Sequence, residues 1–400
     1  MHIQLLNSAI RHHLVAGILI AAGLFFANCH HCDTVFHYTT PPDTGDGLET
    51  ASLTAVGIDT ALIVDAVQHI ICQDFNKVDA MLIFKDERLV LETYFPGRYY
   101  QWDAPDYLGA SVQWDRNTPH PIMSCTKSVA SACIGIALDK GWISSVRASI
   151  FDYLPDHQQF RNGGKEHITI EHLLTMTSGL AWDEWGAMHG TSANDIDRIY
   201  FECGQDPVAC VLGRDLVHPP GEVFTYNGGG IVVLGEILRH ATRMDINAFA
   251  KQYLFGPLGV DSLAWYQHPN GVYATDGSLS ITPRDMLKFG ILYLHNGRWD
   301  NLQILPREWI NKSAHPYKHN TEIKVPIEDS GKNAYGYTWW ISALPFKGGT
   351  TPMYRANGWG GQVIMVFPDL NMVVVFTGSN YAERSKLFKI VRKYVLPAIE

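Results

Sequence analysis

Charge is scarce in this 400-residue chain: Asp, Glu, Lys and Arg make up only 18% of it, and together they sum to −9. No basic run is long enough to track a phosphate backbone, which argues against nucleic acid as a partner. The sequence also lacks a G-x-S-x-G elbow, an H-E-x-x-H zinc helix, a G-x-x-x-x-G-K-[ST] phosphate loop and any internal repeat. No metal or cofactor is therefore expected. What the chain has is apolar: 46% hydrophobic and 12% aromatic residues can bury a large core in one large domain or two interlocked lobes.

No apolar run reaches the ~20 residues of a comfortable membrane span. The longest, Leu14 to Ala27, follows Arg11, His12 and His13 and is closed by Asn28 and Cys29. Residues 1–28 read as a signal peptide, so the protein is expected to be exported to the periplasm or envelope. Cys29 is a candidate lipidation site, which would attach the N-terminus to the membrane; Asn28, where a small residue is usual, leaves simple cleavage and an uncleaved anchor open. Residues 29–50, with TTPPDTGDG, read as a linker, and residues 51–400 as the folded body. Cys203 and Cys210 lie close together in a polar loop and can form a disulfide in an exported protein. Cys72, Cys125 and Cys133 sit in apolar helical contexts, where buried inert thiols are expected.

AMLIF and LVLETYF around KDER pattern as a hairpin early in the body. GYTWWIS, QVIMVF and MVVVFT pattern as strands near the end, while most of the middle reads as helices and loops. The fold class is thus α/β (α+β): an antiparallel sheet drawn from both chain ends, flanked by helices, with a helical insertion lobe.

Three segments carry candidate chemistry. In HPIMSCTKSVASACIGIALDKGW, Ser124 and Lys127 lie one helical turn apart at the start of an apolar helix. A serine hydroxyl needs a base to become a nucleophile. A desolvated lysine beside a helix N-terminus can supply it through a lowered pKa, and the same N-terminus favours an oxyanion. A capping serine with a solvated lysine is the plainer alternative. In PGEVFTYNGGGIVVLGEIL, Tyr226 can act as a general base beside a lysine ammonium, and Asn227 precedes a glycine-rich helix start. In ANGWGGQVIMVFPDLNMVVVF, Trp359, Gly360, Gly361 and Gln362 lead into a strand along which a substrate could lie.

These segments, in this order and together with HITIEHLLTMTSGL and GSLSITPRDMLKFGILYLHNGRW, resemble the serine β-lactamase and penicillin-binding superfamily. The likeness is strongest to its class C-like branch of esterases, D-alanyl-D-alanine carboxypeptidases and 6-aminohexanoate-dimer hydrolases, and it covers roughly residues 50 to 400. The resemblance implies Ser124 as acylated nucleophile, Lys127 as activating partner and Tyr226 as base. Trp359, Gly360, Gly361 and Gln362 would form the substrate-binding third motif, with Asn227 replacing the amide of the usual Tyr-x-Asn.

The branch's Lys-Thr-Gly or His-x-Gly is missing, and a gapless comparison would place its counterpart near Met353 to Arg355 instead. Without that cation, a carboxylic ester or uncharged amide is the expected small-molecule substrate. A carboxypeptidase or β-lactamase acting on a peptidoglycan fragment or β-lactam is the alternative, and a non-catalytic binding module is the second. Of the tryptophans that the resemblance puts near the cleft, Trp114, Trp182, Trp185, Trp339 and Trp340, most are expected to be packing.

Overall fold

The computed structural model describes Cys32 and residues 34–400. The signal peptide at residues 1–28 and the lipidation site at Cys29 lie outside the described residues.

The N-terminal half gives the sheet two strands, β1 (Val78–Lys85) and β2 (Arg88–Tyr94). The C-terminal part adds six more: β3 (Ile323–Lys324), β4 (Lys332–Tyr335), β5 (Trp340–Phe346), β6 (Gly349–Gly358), β7 (Gln362–Phe367) and β8 (Met372–Gly378). They form one antiparallel sheet in the order β3-β4-β5-β6-β7-β8-β1-β2, so the two chain ends pair through β8 and β1, with Leu82 opposite Val375. The β1–β2 hairpin turns on Asp86 and Glu87, whose φ values of 49° and 65° suit a two-residue turn that follows the strand twist.

Strand alternation explains the unbroken apolar runs. Leu82, Phe84, Ile364, Val366, Val373 and Val375 face one core, while Met81, Ile83, Met365, Phe367, Val374 and Phe376 face the other. The second core is closed by α1 (Thr60–Ile71), through Ile63, Val67 and Ile70, and by the C-terminal helical turns from Leu387 to Val395. The first core is closed by α2 (Cys125–Asp139), α3 (Gly228–Thr242) and α4 (Pro283–Leu294). Helix α2 is buried from Cys125 to Ala137, and it packs so closely that a Cβ on Gly135 would meet the Trp309 ring. The segments between α2 and α4 form the expected helical lobe. Helix α4 starts as its sequence suggests: Thr282 Oγ1 accepts from Asp285 N at 3.2 Å, and Pro283 follows.

Two expectations are corrected. The described part of the expected linker, residues 34–50, lies along the body instead of standing away from it. Arg284 donates to Pro42 O (3.1 Å), Thr44 Oγ1 (2.5 Å), Asp46 and Glu92, and Leu48 is buried. A guanidinium with five donors needs that many acceptors when it is 4% exposed; the strap supplies three through Pro42, Thr44 and Asp46, and Glu92 on β2 accepts from the other two. Cys72 is not a free thiol, because it pairs with Cys32 and ties the strap to α1. Cys203 and Cys210 also pair, while Cys125 and Cys133 are free and buried.

Candidate active site

Ser124 sits at the N-cap of α2, but its hydroxyl makes no capping bond. The backbone before it is held from outside: Ile122 N donates to Leu279 O at 2.9 Å, and Met123 adopts φ 47°, a left-handed conformation unusual for a residue with a side chain. This arrangement frees Oγ for Lys127. The lysine is 2% exposed, and its Nζ donates to Ser124 Oγ at 2.8 Å and to the Asp276 carbonyl at 2.6 Å. The plainer alternative, a capping serine with a solvated lysine, is thereby excluded.

Tyr226 completes the group. Its ring lies under the Lys127 ammonium, 5.1 Å from centroid to Nζ, and its hydroxyl faces both Ser124 and Lys127. Burial pushes the phenol above its usual range, against the opposing pull of Lys127. Lys127 departs from expectation. Burial disfavours its ammonium, yet Tyr226 and the carboxylates of Glu184 and Asp276 outweigh burial and hold its pKa above the usual lysine range. These neighbours favour the ammonium over the neutral amine, and as an ammonium the lysine donates to Ser124.

Glu184 and Asp276 are the site residues that the sequence reading missed. Glu184 is 9% exposed, and its Oε2 accepts from Trp182 Nε1 at 2.7 Å and from Gly228 N at 2.8 Å, at the start of α3. A carboxylate there is favoured by the helix N-terminus, although burial still raises its pKa. Asp276 is bound through both carboxylate oxygens by Tyr200 Oη, at 2.9 and 3.1 Å, and burial raises its pKa as well. Neither lies in a recognisable spacing.

The proposed binding residues have other work. Asn227 is buried, and its Oδ1 accepts from Gly230 N at 2.9 Å, so it caps α3 instead of presenting its oxygen to a substrate. Gln362 is fully buried and clamps β8, donating to Gly378 O (2.5 Å) and accepting from Gly378 N (3.2 Å). Gly360 and Gly361, with φ 85° and 103°, form a tight turn; the Gly360 carbonyl accepts from Asn380 N at 2.9 Å. The glycine that meets the nucleophile is Gly358, where a Cβ would collide with the Ile122 carbonyl and press on Met123. Trp359 follows it, with Nε1 donating to Tyr381 O at 2.9 Å. Arg355, the cation on β6, is fully buried and is taken up by Glu328 and Asn333, each at 2.8 Å.

The tryptophans divide as well. Trp339 packs on Tyr293 and Phe289 in the core, and Trp114 packs on His120. Trp185 and Trp340 cluster with the Tyr226 ring, at 4.9 and 5.8 Å from it and 6.1 Å from each other, and Trp185 is 37% exposed.

The beta-lactamase family model matches residues 75–390, which contain every residue of this group. The chain belongs to the beta-lactamase family. A curated relative, Protein flp of Staphylococcus aureus (strain MRSA252), is 26% identical over 159 residues, 40% of this chain but only 30% of that protein. Among solved structures, a putative 6-aminohexanoate-dimer hydrolase from Bacillus anthracis superposes with TM-score 0.64 at 22% identity, covering 82% of this chain and 80% of its own. A family VIII carboxylesterase superposes with TM-score 0.60 at 14% identity, covering 84% and 96%. At these identities the likeness is one of fold.

Proposed function

We propose that the protein hydrolyses carboxylic esters or uncharged amides through an acyl-enzyme on Ser124. The observation that carries this reading is the Lys127 ammonium 2.8 Å from an uncapped Ser124 Oγ, with Tyr226 beside both. Ser124 Oγ attacks the carbonyl carbon as its proton passes to the Tyr226 oxygen, whose anion the Lys127 charge stabilises. The carbon–leaving-group bond breaks, and the alcohol or amine departs with that proton. Water then attacks the acyl-enzyme with Tyr226 again taking a proton. The acid is released and Ser124 is restored. The Ser124 N–H at the start of α2 and the backbone at the β6 end near Gly358 are assigned as the oxyanion donors.

Esters and uncharged amides are favoured over β-lactams and peptidoglycan stems because Arg355 is already paired and buried. The similarity to a carboxylesterase and a dimer hydrolase supports the same substrate class. Export to the periplasm or envelope, with the N-terminus attached to the membrane, is part of this proposal. Two disulfides, Cys32–Cys72 and Cys203–Cys210, support an oxidising compartment.

The test is hydrolysis of p-nitrophenyl butyrate and nitrocefin by the full-length protein and its Ser124→Ala variant. Serine-dependent ester turnover with little nitrocefin cleavage is expected. Serine-dependent nitrocefin turnover would move the function to β-lactams, and silence on both would leave a binding module.

A further inference from the structure

One short segment touches both sides of the nucleophile. Trp185 stacks on Tyr226 with centroids 4.9 Å apart, and four residues later His189 stacks on Trp359 at 4.5 Å. Tyr226 is the candidate base, and Trp359 follows the glycine that abuts the backbone before Ser124. The segment is anchored at both ends. Asp183 accepts from Gly186 N (2.6 Å), Asn194 Nδ2 donates to Ala187 O (3.0 Å), and Asp197 accepts from Gly190 N (2.9 Å) and faces His189 Nδ1 (3.2 Å).

Between these anchors the chain exposes apolar side chains instead of polar ones. Met188 is 74% exposed and Trp185 37%. The apolar surface continues beyond Trp359 through Tyr107 (4.9 Å) and Trp102 to Phe201, which packs at a tilt on Trp102 at 4.5 Å and is itself 57% exposed. Large exposed apolar groups gathered beside the candidate base and the third motif mark a place where something apolar binds.

We infer that residues 185–189 and the ring series from Trp359 to Phe201 form an apolar mouth that receives the acyl group, and that the enzyme selects medium-chain over short-chain acyl esters. This rests on the ester reading above. Each methylene removed from water is worth up to about fourfold, so covering two of the extra methylenes of an octanoyl chain gives about tenfold or more. A Trp face also offers a large contact at small entropic cost, since the ring is already held by stacking.

The experiment is kcat/KM of the full-length protein on p-nitrophenyl acetate, butyrate and octanoate, compared with Trp185→Ala and Met188→Ser. The quantity read is the octanoate-to-acetate ratio, from which a general effect on Tyr226 cancels. The wild-type ratio is expected to be about 10 or more, and to fall about fivefold in Trp185→Ala and about twofold to threefold in Met188→Ser, chiefly through KM. A wild-type ratio near or below one overturns the inference, as does a ratio that both variants leave unchanged. Serine-dependent ester turnover with such a flat ratio removes only the acyl-chain selection. Loss of all serine-dependent ester turnover removes the ester reading with it.

Discussion

The Lys127 ammonium donates to Ser124 Oγ across one turn of α2, at 2.8 Å, while the same nitrogen donates to the Asp276 carbonyl at 2.6 Å. The contact fixes the hydroxyl and places a positive charge where an alkoxide forms. Ser124→Ala is expected to abolish hydrolysis of p-nitrophenyl butyrate. Lys127→Ala and Tyr226→Phe are each expected to lower kcat by about 10²- to 10⁴-fold, the usual range for a lost proton-transfer partner. Labelling by a fluorophosphonate should be lost in the first variant and slowed in the other two. Unchanged labelling of Ser124→Ala would place the nucleophile elsewhere.

Glu184 contributes to the proton balance of this group, behind burial and the Lys127–Tyr226 coupling. Its anion raises the pKa of both Lys127 and Tyr226, and the active form in the proposed mechanism is the pair with one proton fewer. Activity should therefore rise on the alkaline side as the pair loses that proton. In Glu184→Gln the negative neighbour is gone, both pKa values fall, and the rising limb of kcat/KM should move to lower pH by about one unit. Glu184→Asp should move it less. A pH–rate profile decides the matter, and a limb that stays in place or moves upward contradicts this role for Glu184.

How much of this was legible beforehand depends on the kind of signal. The central strands were readable because burial on both faces makes Leu82, Ile83 and Phe84, or Val373, Val374 and Val375, continuously apolar. Ser124 and Lys127 were readable because a helical spacing survives in the linear sequence. Glu184 and Asp276 reach Lys127 from distant segments, and no local period marks such a meeting. The strap at residues 34–50 looked like a linker because Pro, Gly, Thr and Asp compose both. Partners far away in the sequence distinguish the two cases, such as Arg284, some 240 residues on, and Val90, which accepts from Tyr38. Gln362 was misread for a related reason: a polar side chain near a site can serve the backbone instead of a substrate, as its bonds to Gly378 show.

Cys125 adjoins the nucleophile, yet its chemistry should be silent. It is fully buried, burial raises its thiol well above the usual range, and its Sγ faces the Gln362 carbonyl at 3.4 Å. Iodoacetamide at neutral pH is expected to leave esterase activity intact over hours, with Cys125 and Cys133 alkylated only after unfolding. Mass spectrometry of the native, treated protein checks this, and rapid inactivation with a label on Cys125 would contradict it.

Gly358 offers the sharpest test of where the third motif meets the site. A Cβ there has nowhere to go: the Ile122 carbonyl and the Met123 side chain already fill the space, and Met123 is itself held at φ 47° immediately before Ser124. Gly358→Ala must push this loop and the strand end apart, at a cost of about 1–3 kcal/mol in stability. The larger effect should fall on kcat, because Ser124 shares that backbone and a displacement of about 1 Å at a reacting group costs about 10²-fold. Gly349→Ala, at the far end of the same strand, has only the Phe346 carbonyl within 4 Å, at 3.8 Å, and should leave both stability and turnover near wild type. Thermal melting together with kcat on p-nitrophenyl butyrate separates the two quantities. If Gly358→Ala kept full turnover, β6 would not abut the nucleophile loop in the working enzyme, and the counterpart of the missing Lys-Thr-Gly would have to be sought elsewhere on the sheet.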